Sequence, residues 1–92
     1  MVHKIVRVSD GKRVGMAGSL DGARHGAGTM TRFIHEFFHG AGYGRDEEEG
    51  FWYVDFIVGD HLVREEYTIA PANLAEQLRW YWTMFRSTVL PF

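Results

Sequence analysis

Ninety-two residues make a single domain, since a chain of this length cannot build two hydrophobic cores. Hydrophobic residues make up 46% of it and aromatic ones 15%, which argues against disorder, and the lack of cysteine excludes disulfides and thiolate metal sites. Ten Lys and Arg against twelve Asp and Glu give a net charge of −2, which excludes the basic footprint of a generic nucleic-acid binder and is too weak for a DNA mimic.

Val2, Ile5, Val6 and Val8 open the chain as a β-branched strand. Asp10-Gly11 follows as a hairpin turn, because Gly accepts positive φ without steric cost. Arg13 to about Gly18 is the return strand. Gly18 to Gly28 reads as a Gly-rich loop, after which Thr29 or Thr31 caps a helix. In that helix Met30, Phe33, Ile34, Phe37, Phe38 and Ala41 fall on one apolar stripe, with Arg32, His35, Glu36 and His39 on the other side. Gly40, Gly42 and Gly44 end it, and Arg45 to Gly50 is a solvated loop.

Phe51 to Val58 and Leu62 to Ile69 form a second hairpin across a two-residue Gly59-Asp60 loop. Pairing across that loop sets Asp55 opposite Arg64, Phe56 opposite Val63 and Trp52 opposite Tyr67. Trp52, Val54, Phe56, Val58, Val63 and Tyr67 then share a core face, and Tyr53, Asp55, Arg64 and Glu66 share the other. The last helix starts near Asn73 or Pro71, with Leu74, Leu78, Tyr81, Trp82, Phe85 and Val89 as its stripe and Trp80 and Met84 widening it. The expected fold is α+β: an antiparallel sheet of about four strands in ββαββα order, with both helices packed on one face. No run approaches the ~20 apolar residues of a membrane span and no signal-peptide pattern opens the chain. A soluble, cytoplasmic domain over residues 1–92 is therefore expected, with neither membrane nor nucleic acid as partner.

His35-Glu36-Phe37-Phe38-His39 is an HExxH sequence placed on a predicted helix. Histidines at i and i+4 share a helix face, so both imidazoles can reach one Zn²⁺, and the adjacent Glu can act as general base toward a metal-bound water. Over about a dozen residues the stretch resembles the active-site helix of zinc metallopeptidases, the zincins. The resemblance implies His35 and His39 as metal ligands and Glu36 as the catalytic base. Arg45 stands where the longer form of that motif carries a third His, and Arg cannot ligate a metal. Glu76, the sole acid on the last helix, is the candidate third ligand. Zinc is thus the alternative to a chain without a cofactor.

The run Arg24, His25, Gly26, Ala27, Gly28, Thr29 leads into the predicted helix start, where free backbone N–H groups and the helix dipole can hold a phosphate or carboxylate. Arg24, Gly26, Gly28 and Thr29 are its candidate anion-binding residues. Trp80, Tyr81, Trp82, Met84 and Phe85 crowd the last helix, and four apolar residues in five cannot all face one sheet. Part of this surface is expected to meet a protein partner, a second copy of the chain, or the C-terminal segment Val89-Leu90-Pro91-Phe92 folding back. Size, the lack of a complete catalytic constellation and this surplus aromatic surface favour a non-catalytic interaction domain of the inhibitor or modulator type over an enzyme. The alternative is a zinc-binding domain, a minimal or degenerate metallohydrolase.

Overall fold

A computed structural model describes residues 1–89, with side chains as far as residue 85. Its elements run β1 (His3–Arg7), β2 (Arg13–Ala17), α1 (Leu20–Phe37), β3 (Gly42–Asp46), β4 (Phe51–Val58), β5 (His61–Pro71) and α2 (Leu74–Val89). The five strands form one sheet in the order β2-β1-β5-β4-β3, with every neighbouring pair antiparallel.

The β4–β5 hairpin has the register expected of it. Trp52 pairs with Tyr67, Asp55 with Arg64 and Phe56 with Val63, and Gly59 takes φ 65° in the two-residue turn. Gly11 likewise turns the first hairpin at φ 69°, supported by the Arg7–Asp10 ion pair. A register shift between Ile5 and Val6 then passes over Val14 in β2.

Several expectations change. The sheet has a fifth strand, because β3 replaces part of the predicted helix end and loop. Gly42 and Gly44 hide it in the sequence, yet it pairs with β4 from Gly42–Asp55 to Asp46–Phe51. A side chain at Gly44 would run into the Tyr53 hydroxyl at 3.0 Å, so the gap in side chains is what lets Tyr53 lie across the strand.

The second change concerns the first helix. It starts at Leu20, with Ser19 as N-cap accepting from the Gly22 amide at 3.0 Å, so the Gly-rich segment is its first half. Ala23, Ala27 and Thr31 are buried against the sheet, and a Cβ at Gly26 would touch Ile5. Small residues bring the helix axis close to the strands, and that packing outweighs the poor helix propensity of three glycines. Thr31 satisfies its buried hydroxyl by donating to the carbonyls of Ala27 and Gly28. The predicted apolar stripe is correspondingly out of phase: Met30 and Ile34 reach the core, whereas Phe33, Phe37 and Phe38 are exposed.

Ile5, Ala27, Trp52, Val54 and Tyr67 form the core, flanked by Met30, Ile34, Phe56 and Ile69. After α1 the chain returns to the sheet where the Ala41 amide bonds the Asp55 carbonyl at 2.7 Å. The hairpin continues past that point uncovered, which leaves Val58 and Val63, expected in the core, exposed.

The third change is the position of α2. Its Glu76 bonds Lys4 and Arg13. Lys4 alternates along β1 with Ile5, which faces α1, so α2 is anchored on the other face of the sheet. The two helices do not share a face.

Candidate functional site

The HExxH stretch does not lie on one helix. The helix ends at Phe37 with Phe38 as its C-cap, and His39 takes the left-handed conformation at φ 53°. The Gly40 amide bonds the His35 carbonyl at 2.8 Å, so the chain makes a Schellman-type stop in the middle of the motif. The i, i+4 face on which two imidazoles share a metal is thereby lost. His35 packs its ring on Tyr43, 4.8 Å between centroids, and its Nδ1 is buried without a hydrogen-bond partner. Glu36 is exposed and bonds Arg32 along the helix at 3.3 Å. Glu76 lies at the opposite end of the sheet, bonded to β1 and β2, whereas His35 sits on the β3 edge. Among the described residues, no three His, Asp or Glu side chains gather as a metal would require. The structure thus does not bring His35, His39, Glu36 and Glu76 together on one helix face.

The candidate anion-binding residues are not at a helix start. Arg24, Gly26, Gly28 and Thr29 lie inside α1, four residues or more beyond its start, where backbone amides are used in the helix itself. Arg24 faces Asp21, 3.8 Å away, and Gly28 lies beside Trp52.

The aromatic residues of the last helix lie on α2. Its N-terminus is a reciprocal capping box: Asn73 Oδ1 accepts from the Glu76 amide at 2.8 Å, and Glu76 Oε1 accepts from the Asn73 amide at 2.9 Å. Glu76 also receives Lys4 at 2.9 Å and Arg13 at 3.1 Å. The Asn73 amide, and then the Lys4 ammonium, hold the Glu76 carboxyl at about 2, well below its ordinary value. Gln77 donates to the Ala72 carbonyl, and Trp80 turns its ring to Gly18. These contacts all fall on the Glu76, Gln77, Trp80 side of α2.

Beyond this anchor the helix leaves the body. Among the described residues, no α-carbon of α2 lies within 8 Å of one in another helix or strand. The molecule is 51 Å long with a radius of gyration of 15.2 Å, against ~12 Å for a compact chain of its length.

The face opposite the anchor is apolar and uncovered. Leu74 and Leu78 are 72% and 62% exposed, and Tyr81, Trp82 and Phe85 are more than half exposed, whereas Met84, one turn beyond Trp80, falls on the anchor side. Trp82 stacks on Phe85 at 6.1 Å, and Trp80 meets Tyr81 edge-on at 5.3 Å. Sequence reasoning picked out Trp80, Tyr81, Trp82, Met84 and Phe85. Of these, Trp80 belongs to the anchor and Met84 lies on the same side of the helix. Leu74 and Leu78, assigned to the core stripe, belong to the exposed face. The expected fold-back of Val89-Leu90-Pro91-Phe92 lies outside the described side chains.

Comparison with family models, with curated proteins and with solved structures returns no match. The site's own geometry therefore carries the functional reading.

Proposed function

We propose that this chain is a small protein-interaction domain that works by binding, as inhibitors and modulators do, with α2 as its contact surface. The observation that carries this reading is the division of α2 into two sides. One side is fixed to the body by the Lys4 and Arg13 ion pairs of Glu76 and by Trp80 against Gly18. The other holds Leu74, Leu78, Tyr81, Trp82 and Phe85 in solvent. An anchored helix with an uncovered aromatic face has the composition of an interface core, in which Tyr, Trp, Phe and Met are enriched and charge is depleted. Its fixed position lowers the ordering cost of binding.

The test is cross-linking of the intact chain in lysate of the cells that express it, comparing wild type with a Leu78→Asp/Phe85→Asp variant. Circular dichroism confirms that the variant is folded. Adducts whose cross-links map to α2, and which the variant loses, support the reading. Adducts that persist in the variant, or a wild-type chain that forms none through α2, overturn it.

A further inference from the structure

We propose that α2 is a hinged arm held to the body by a charge latch: it swings about the Ala72-Asn73 junction as an intact helix, and Lys4 and Arg13 bonded to Glu76 hold it in the position described above. The device concerns how the helix is carried, and it does not rest on what α2 contacts.

The hinge lies where the sheet stops. The Ala72 amide bonds the Val2 carbonyl at 3.0 Å and Ala72 is 5% exposed, so the chain is pinned beside β1 up to that residue. From Asn73 onward the backbone bonds are internal to the helix, beginning with the Gln77 amide on the Asn73 carbonyl at 2.9 Å. Rotation at the junction therefore breaks no backbone hydrogen bond to the sheet. It costs the Gln77 side chain its bond to the Ala72 carbonyl, which water replaces.

The helix carries its own start with it. Both bonds of the capping box lie within residues 73–76, so they stay formed when the helix moves. Neither Gly nor Pro interrupts Leu74–Val89, and its 16 residues exceed the ~12–15 below which an isolated helix is marginal.

The latch is electrostatic and open to solvent. One carboxylate receives a cation from each of two strands, Lys4 of β1 at 2.9 Å and Arg13 of β2 at 3.1 Å. The Lys4 and Arg13 side chains keep 23% and 36% of their surface exposed, so dissolved ions screen both pairs. Trp80 adds an edge contact with Gly18. Packing does not hold the rest: α1 buries Ala23, Ala27 and Thr31 against the sheet, whereas among the described residues no α-carbon of α2 comes within 8 Å of one in another helix or strand. Release uncovers Trp80, which then extends the exposed aromatic surface beside Tyr81. The latch thus sets both the direction and the size of the apolar face.

The native chain contains no cysteine, so spin labels on cysteines introduced at Thr29 of α1 and Phe85 of α2 report the swing as a dipolar distance. Dilution into unlabelled wild type keeps the reading within one chain. At low salt a single narrow distance is expected. A second distance should appear in about 1 M sodium chloride, where the screening length falls to ~3 Å. Glu76→Gln should produce it already at low salt, with the released-to-latched ratio raised roughly tenfold for two partly exposed pairs. Gln keeps the capping box, so the helical circular dichroism should stay at the wild-type level. Lys4→Gln/Arg13→Gln should reproduce the effect from the sheet side. One narrow distance that neither salt nor Glu76→Gln changes overturns the hinge. A second distance that appears together with loss of helical signal also overturns it, because the helix then melts and does not swing.

Discussion

Trp80 rests the edge of its indole on Gly18, close enough that a Cβ on that glycine would stand 3.0 Å from Cη2. This contact joins the last helix to the turn after β2, and the Glu76 ion pairs join it to Lys4 of β1 and Arg13 of β2. They decide which side of α2 is buried and so which side is free.

Trp80→Ala is expected to cost about 1–3 kcal/mol, mostly as loosened docking of α2. Amide hydrogen exchange should speed up along α2 while α1 keeps its protection. Leu78→Ala, made on the exposed side, should change the stability of the monomer by less than about 0.5 kcal/mol. Equal effects of the two substitutions would contradict the assignment of sides.

Acid should release α2 before it unfolds the sheet. The folded-state pKa of Glu76 is depressed, to about 2 from an ordinary 4.5. The stabilisation it provides is thus fully present above about pH 4.5 and is lost as pH falls toward 2. Glu76→Gln should remove this dependence, because it keeps the shape and deletes the charge. The readout is hydrogen exchange at residues 73–77 across that pH range.

Gly28→Ala should stabilise the protein by about 0.5–1 kcal/mol, because a helix-interior glycine carries that cost relative to alanine. The added Cβ meets Trp52 at an ordinary 3.8 Å. A loss of stability in urea titration would show that this segment is not helical.

Gly40→Ala should destabilise by about 1–3 kcal/mol, the range for overpacking. Its Cβ would stand 3.0 Å from His35 Cδ2, 3.1 Å from His35 Cα and 3.2 Å from the Asp55 carbonyl oxygen. Two of these neighbours are backbone atoms and cannot swing aside. Thermal unfolding compared with wild type measures it.

Zinc should neither bind stoichiometrically nor stabilise the fold, since His39 leaves the helix at φ 53° and Glu76 is bonded elsewhere. Elemental analysis after dialysis against zinc should give the same result for wild type and a His35→Ala/His39→Ala variant. One zinc per wild-type chain, lost in the variant, would restore the HExxH reading.

Much of the fold is legible in the sequence because its determinants are local. The β4–β5 register, including the Asp55–Arg64 pair bonded at 2.7 Å, follows from strict alternation on either side of a glycine turn. The Asp10-Gly11 hairpin and the Asn73 cap are equally local. Tertiary structure decided the rest. Gly22, Gly26 and Gly28 read as a loop by intrinsic propensity, and become helix because close contact with the sheet needs small side chains. Gly42 and Gly44 lack the side chains that mark a strand, and β4 recruits them through backbone hydrogen bonds that any residue can make. The HExxH spacing says nothing of where the helix stops, and the stop at Phe38 separates its histidines. In α2, periodicity shows an apolar stripe and leaves its neighbour unspecified. Lys4, Arg13 and the Trp80 contact with Gly18 turn the other side of that helix to the body, which leaves the stripe facing outward.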